Sequence, residues 1–583
     1  MYAYVDPSGQ ARHEKSADRS MRSETSKVMM VPRCRVSPGA GSERVVAPHR
    51  HRRQMTRDSI MIFRSPFPSL DIPNLSVTAF ALRHAQRLAD KPALIDGATG
   101  DALTFGELAA AVHRTAVGLT AHGFGKGDVF AILAPNSIEF GVAFHAIASI
   151  GGITAPLNPQ STPDEVSNRI HETGAVCLVT TPELLEACRH AVERCRLREI
   201  VVFGDAAGAT SFAGLSLNDG SPPDVALDLA EDVAVVLCSS GTTGLPKGVQ
   251  LTHRNLVASA RQLAIACDVG EGDTLPGQLP FFHCFGLIVA LSLGLSQGAT
   301  SVLMSRFDFD RFLELIQNHQ ISRAFVVPPI VLALAKQPIV GEYDLSSLVM
   351  MLSGAAPLGS DVAGACAERL GCRVKQGYGL TEIIPTHAVP ERSKPGKLGT
   401  VGVCVPGVEC KIIDIESGDE LDVGETGEIC VRGPQQMKGY LNRPEATAAM
   451  IDAEGWIHTG DVGVVDNDGY LTVVDRLKEL IKYKGYQVAP AELEAILLAH
   501  PAVADAAVIP SPDDEAGEVP KAFVVLRGEA TGDELMAFVA DRVAAYKRVR
   551  RLEFVHAIPK SPTGKILRRV LVERERSGAI TVV

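Results

Sequence analysis

Residues 239–249 read SSGTTGLPKGV, directly after the apolar run VAVVLC at 233–238. A short β-branched run bounded by turn residues reads as a buried strand. A loop leaving such a strand can aim consecutive backbone N–H groups at an anion, because glycine accepts the backbone angles required. Ser239, Ser240, Thr242 and Thr243 add hydroxyl donors, Gly241 and Gly244 supply the freedom, and Lys247 adds charge. The common phosphate loop needs GKS or GKT opening a helix. Here Pro246 precedes the lysine by one residue and Gly248 follows it, so that geometry is excluded. Taken alone, a Gly-rich stretch is as readily a simple turn.

Working outward, helical patterns alternate with short apolar runs from about Val77 to Asp310. HAQRLAD (84–90) and TFGELAAAVHRTAVGLTAHG (104–123) are amphipathic at helical spacing. VFAILAP, AVCLVTT, EIVVFG and, further on, RAFVVPP and SLVMMLSGAAPLG read as strands. This alternation predicts an α/β architecture with largely parallel sheets. After about Gly396 the texture changes to alternating apolar and polar residues around Ser-Gly and Asn-Asp-Gly turns, which predicts antiparallel hairpins. Past Arg476, PAELEAILLAH and GDELMAFVADRVAAYK read as helices, with strands AVADAAVIP and KAFVVL between them. The expected organisation is a large domain over 61–476, with α/β subdomains and a β-rich subdomain, then a small α+β domain over 477–583.

The chain of 583 residues is 46% hydrophobic and 21% charged, with a net charge of −11, so a basic nucleic-acid-binding surface is not expected. The twelve cysteines form no CxxC or Cys/His array, which predicts reduced, buried thiols in a cytoplasmic protein. The longest stretch free of Asp, Glu, Lys and Arg, 274–305, is interrupted by His283, Gly286, Gly294, Gln297 and Gly298. It predicts a buried helix followed by the strand TSVLM, not an integral membrane segment. Residues 1–60 carry twelve Lys/Arg against six Asp/Glu and no apolar periodicity. They read as a disordered tail, or as the product of a start codon chosen upstream of Met61. AITVV at the end is not a peroxisomal tripeptide. Nothing in the sequence sets an oligomeric state.

Four further segments keep company with the opening loop. KQGYGLTE (375–382) offers the flat face of Tyr378 for a purine, a hydroxyl on Thr381, and on Glu382 a carboxylate suited to Mg²⁺. WIHTGD (456–461) places Asp461 at a tight turn, where it could accept from two ribose hydroxyls or serve only an Asx turn. DRLKELIKYKGYQV (475–488) is basic in an acidic chain, and PKSPTGKILRR (559–569) presents Lys565 in a Pro/Gly loop. Singly, each also fits a strand end, a turn or a solvated lysine. In this order they do not.

SSGTTGLPKG, GYGLTE, TGD and PTGK in series resemble the adenylate-forming superfamily of acyl-CoA synthetases, adenylation domains and luciferases. DRLKELIKYKGYQVAPAELE is similar to its CoA-ligase branch, nearest to the 4-coumarate and fatty acyl ligases. The resemblance runs from Met61 to Arg569. It implies an enzyme that attacks ATP with a small-molecule carboxylic acid, expels pyrophosphate, and passes the acyl group from AMP to the thiol of CoA. By resemblance, Ser239–Lys247, Thr243 included, grips the β- and γ-phosphates. Glu382 holds Mg²⁺, and Thr381 meets the α-phosphate. Tyr378 and the backbone of Gly354, Ala355 and Ala356 flank adenine, with Gln376, Gly377 and Gly379 in the same nucleotide-binding set. Asp461 and Arg476 bind the ribose. Lys565 reaches the α-phosphate and acyl carboxylate.

The resemblance also implies a small domain that rotates about a hinge near 475–478. One face delivers Lys565. The other delivers Lys482, Lys484, Gly485 and Gln487 to the pantetheine tunnel. His283, in LPFFHCFG, falls beside the acyl pocket, which should also involve residues through Leu287, the strand before Gly354, and Ile383-Ile384-Pro385. Many relatives carry smaller residues at that last place, a departure that argues for a reshaped pocket and against 4-coumarate itself. The apolar lining predicts a fatty or aryl-propenoic acid. Two alternatives stand beside this reading: a stand-alone enzyme loading a carrier protein, and a non-catalytic binding protein, the latter opposed by Glu382, Asp461, Arg476 and Lys565.

Overall fold

A computed structural model describes residues 61–217, 220–221, 224–239, 247–390, 397–484, 486–513, 515–561 and 564–577. The expected Ser240, Gly241, Thr242, Thr243, Gly244 and Gly485 lie outside the described residues, as do residues 1–60.

The strand before the opening loop, Val233–Ser239, sits in an eight-stranded sheet. On one side it pairs in parallel with Ile153–Leu157, and the sheet continues in parallel through Val129–Leu133, Cys177–Thr180, Glu199–Val202 and Thr210–Ser211. On its other side it pairs antiparallel with Lys247–Thr252, which in turn pairs with Gly439–Tyr440. Ser239 and Lys247, at the two ends of that loop, are therefore register partners on antiparallel strands, and Lys247 opens a strand, not a helix.

Two other sheets share this α/β body. One contains Thr274–Gly277, Thr300–Leu303, Pro92–Asp96 and Ala102–Thr104; the other runs from Arg323–Val326 through Met350–Ser353 and Arg373–Leu380 to Ile383–Ala388 and Val403–Cys404. The β-rich part is an antiparallel sheet ordered Phe63–Arg64, Glu409–Ile413, Thr426–Arg432, Ile457–Val465, Leu471–Arg476. A small C-terminal α+β domain follows, its sheet built on Val503–Asp513 and Gly517–Leu526. The architecture is thus a large α/β domain with a β-rich subdomain and a small α+β domain.

Local chemistry explains most elements. Thr104 accepts from Glu107 N–H while the Glu107 carboxylate accepts from Thr104 N–H, a reciprocal cap that starts the helix Phe105–Ala121. The charge-free stretch forms Cys284–Ile288, a π-helical turn over Val289–Gly294, and Leu295–Gln297, followed by the strand Thr300–Leu303. Leu291, Leu293 and Leu295 in it are fully buried, each contributing about 1.5–3 kcal/mol by leaving water. Among the described residues no helix is long and apolar enough to cross a membrane. All eleven described cysteines are free thiols.

Two expected helices differ. HAQRLAD forms successive turns, the helix being Val77–Ala81 upstream. Lys91 ends this segment by donating to the Glu271 and Gly298 carbonyls, so the chain is pinned where it must enter the strand Pro92–Asp96. GDELMAFVADRVAAYK stops being α-helical at Ala540, where the Arg542 guanidinium donates to the Phe538 carbonyl, 2.8 Å away, and caps the last turn.

The C-terminal domain has its own apolar centres. Ile481, Val488, Leu493, Leu497, Val508 and Val524 pack in one cluster, and Ile509, Phe523, Ile558 and Leu571 in another. It meets the large domain through an apolar cluster of Val462, Leu480 and Ala489 and through polar contacts, among them Lys336 Nζ donating to the Leu498 carbonyl at 3.1 Å.

Candidate active site

A cavity of about 1190 Å³ opens where the hairpin edge, the Arg373–Leu380 strand, the β-rich sheet and the C-terminal domain converge. Its wall includes Ser239, Lys247, His283, Gly354, Ala355, Gly377, Tyr378, Gly379, Thr381, Glu382, Asp461, Arg476 and Lys565, residues spread over more than half the chain. Ala356 and Gln376 are not in the wall. Gln376 instead donates to the Leu398 carbonyl at 2.6 Å and accepts from Leu358 N–H at 3.3 Å, so it braces two loops behind the cavity. Lys482, Lys484 and Gln487 are also outside the wall, exposed on the hairpin of Ile481–Tyr483 and Tyr486–Val488.

Asp461 is not at a simple tight turn. It lies within the strand Ile457–Val465, at an irregularity where Glu428 faces Val462 while Cys430 faces His458. Between these pairs the three residues Thr459, Gly460 and Asp461 thus oppose the single Ile429, and Gly460, at φ +67°, takes the left-handed conformation the bulge requires. Tyr378 donates its hydroxyl to Asp461 Oδ2 at 2.6 Å, and Arg476 Nε meets Oδ1 at 3.2 Å. The Tyr378 ring is therefore fixed by its hydroxyl, and the carboxylate keeps spare lone pairs for further donors. Burial raises the Asp461 carboxyl, while Arg476 and Tyr378 pull it back down. Ala355, just past the strand Met350–Ser353, sits at φ +72°, a strained backbone of the sort that gathers at binding sites.

Glu382 is buried, and its Oε1 accepts from the Tyr440 hydroxyl at 2.7 Å. The Tyr440 ring in turn carries Lys247 Nζ 4.7 Å from its centroid. Sequence reading missed Tyr440. Its place is set by pairing with Val249, two residues from Lys247, and no local signal in KGYLNRPE marks it. Glu382 Oε2, the Thr381 hydroxyl and Ser239 are hard oxygen donors. Among the described residues no hydrogen bond reaches Glu382 Oε2, and such a carboxylate oxygen suits Mg²⁺, which binds through one or two carboxylates plus phosphate oxygens. Tyr440→Phe removes a hydrogen bond to a charged acceptor, so the KM for MgATP should rise about tenfold, as measured by pyrophosphate release at varied MgATP.

Lys565 reaches the cavity from the far end of the chain. Burial first, and Arg476 second, lower its pKa to about 8. The ammonium is present at pH 7 and is lost as pH rises through 8. The kcat/KM for ATP should therefore fall about tenfold per pH unit above that point. Lys565→Arg should remove this falling limb from a pH profile, since guanidinium does not titrate there. His283 caps the helix Cys284–Ile288, its Nδ1 accepting from Phe285 N–H at 3.4 Å, and burial with the nearby Lys565 charge holds it at about 4. It is neutral at pH 7, with its proton on Nε2. Phe282, Phe285, Leu352, Ile384 and Pro385 give the same cavity an apolar wall, whereas Leu287 and Ile383 are wholly buried behind it.

Sequence reading also missed a second polar end of the cavity, where Arg169 pairs with Glu172 at 2.8 Å.

The family model described as AMP-binding enzyme matches residues 82–441, and that described as AMP-binding enzyme C-terminal domain matches 492–565. The chain belongs to the AMP-binding enzyme family. It is 44% identical over 530 residues to 4-coumarate–CoA ligase 5 of Oryza sativa subsp. japonica, covering 89% of this chain and 98% of that relative. Among solved structures, ATP-bound MatB from Rhodopseudomonas palustris superposes with a TM-score of 0.79 at 29% identity, covering 87% of this chain and 100% of MatB. The anthranilate CoA ligase AuaEII, in complex with anthranoyl-AMP, superposes with a TM-score of 0.80 at 27% identity, covering 87% of this chain and 98% of AuaEII.

Proposed function

We propose that this AMP-binding enzyme is an ATP-dependent acid–CoA ligase, which converts a hydrophobic carboxylic acid to its acyl-adenylate and then to its CoA thioester. The observation that carries the reading is the arrival of Lys565 in the cavity that already holds Lys247, Glu382 and Asp461. A carboxylate cannot expel oxide, so it must first be joined to a better leaving group. Positioning and charge stabilisation do most of that work in phosphoryl-type transfers.

Lys247 and the hairpin it ends hold the β- and γ-phosphates. Asp461 and Arg476 hold the ribose, and Tyr378 lies against adenine. Mg²⁺, bound through Glu382, would neutralise charge on the phosphate oxygens. Lys565 and the neutral His283 bracket the reacting carboxylate: Lys565 supplies positive charge where the α-phosphorus is attacked, and His283 offers Nε2–H to an acyl oxygen. The apolar wall with Ile384 and Pro385 selects a fatty or aryl-propenoic acid. We place the domain boundary at 476/477, with a hinge over 475–478. This fits the separate apolar clusters on its C-terminal side.

The test is pyrophosphate release over a panel of acids, with and without CoA. Release should require a hydrophobic acid, and thioester should accumulate only with CoA. Adenylate without thioester would favour loading of a carrier protein, and no release with any acid would favour a binding role.

A further inference from the structure

Beside the nucleotide cleft lies a second cluster of ligating groups that the reaction above does not use. Cys430 and His458 face each other across the antiparallel strands Thr426–Arg432 and Ile457–Val465, and Glu428 precedes Cys430 by two residues. One ligating atom from each of the three lies within 4.8 Å of the others. We propose that Glu428, Cys430 and His458 form a binding site for a zinc-type divalent transition metal.

The spacing fits such an ion. Cys430 Sγ is 3.7 Å from His458 Nδ1, and that nitrogen is 3.4 Å from Glu428 Oε2. A tetrahedral ion with bonds of about 2.3 Å to sulfur and about 2.0–2.1 Å to nitrogen and oxygen sets neighbouring ligand atoms roughly 3.3–3.6 Å apart. The outer groups fit as well. His458 Nε2 is 3.5 Å from Asp452 Oδ2, and Glu428 Oε1 accepts from Gly460 N–H at 3.0 Å. A ligating imidazole ordinarily gives its other N–H to a carboxylate, and a ligating carboxylate is itself hydrogen-bonded. The proton directed at Asp452 leaves the Nδ1 lone pair for the ion.

The mixed sulfur, nitrogen and oxygen set favours Zn²⁺ or Co²⁺ over Mg²⁺, which belongs to the all-oxygen surroundings of Glu382. On binding, the Cys430 S–H bond breaks as the sulfur–metal bond forms, and the proton leaves to solvent. Three protein ligands leave a fourth position for water or another oxygen. Glu428 and His458 both line the cavity, so that position is reachable from it.

The chain has one tryptophan, and Trp456 packs in the same apolar cluster as Cys430, which provides a local reporter. The full chain, stripped with chelator and kept in Mg²⁺, should bind one Co²⁺ with a thiolate-to-cobalt charge-transfer band and loss of Trp456 emission. Zn²⁺ should erase the band. Cys430→Ser should abolish the band and the quenching. His458→Gln, at a half-buried position that leaves the core intact, should weaken Co²⁺ binding at least about tenfold, and it decides the matter should Cys430→Ser not fold. No thiolate band in the parent, or a band of undiminished affinity in a folded variant, overturns the proposal.

Discussion

Replacing Lys565 with alanine is expected to slow acid-dependent pyrophosphate release by about 10²–10³, the usual cost of removing one preorganised donor at a developing charge. The loop that carries Lys565 is built for that placement. Ser561 N–H donates to the Lys565 carbonyl and Gly564 N–H to the Ser561 carbonyl, both at 2.8 Å, while Lys560 and Ile566 pair across the turn. Gly564 has φ +78°, and a Cβ there would come within 3.1 Å of Pro329 in the large domain. Glycine therefore serves both the turn and its close seating. The ammonium is held in a buried place where its charge is disfavoured, with its pKa near 8. Burial of a charge is costly unless a partner of opposite sign arrives, and in the reaction proposed above the phosphate and acyl oxygens would supply it. The second half-reaction, begun from preformed acyl-adenylate, should stay close to the parent rate. Activation of the acid at the parent rate in Lys565→Ala would remove the role proposed for this residue.

What was legible in the sequence was chemistry that works over a few residues. SSGTTGLPKG reads as an anion-holding turn through its own glycines, hydroxyls and lysine, and its two described ends, Ser239 and Lys247, line the cavity. Alternation of strand and helix signals likewise predicted parallel sheets, because each signal depends on local burial. The illegible parts depend on distant partners. Tyr440 reaches Glu382 only because its strand pairs with the one that follows Lys247. Gln376 sits inside KQGYGLTE, read from the sequence as a nucleotide-binding segment, yet its amide is engaged by Leu358 and Leu398, which no local pattern announces. Asp461 read as a turn residue because Thr-Gly-Asp has turn composition. The cross-strand register makes it a bulge. HAQRLAD has helical spacing, but anchoring of Lys91 ends it in turns. Tertiary contacts override weak local preference in such short segments.

The second large effect is expected at the hairpin 481–488. Lys482 and Gln487 are register partners, both exposed, and neither lines the cavity that Lys565 enters. Tyr486, 57% exposed, stacks on Tyr546 with ring centroids 4.7 Å apart, and Lys484 pairs with Glu515 at 2.5 Å. The hairpin is thus a formed surface facing solvent. Residues on opposite faces of one small domain can both act at one cleft only in turn, with a few connecting residues absorbing the rotation. Here the connection is short: Leu477 N–H donates to the Gly460 carbonyl at 2.8 Å, and Lys478 already lines the cavity. If rotation then brings Lys482 to the thioester-forming centre, Lys482→Ala loses a charge-assisted hydrogen bond there, worth about 1.5–3 kcal/mol, or roughly 10–150-fold in rate. Thioester formation from preformed acyl-adenylate should fall by that factor, whereas acid-dependent exchange of pyrophosphate into ATP should not follow it down. Equal loss in both assays would mean that the hairpin acts through the conformation already formed around Lys565, and the rotation would have no part in the reaction.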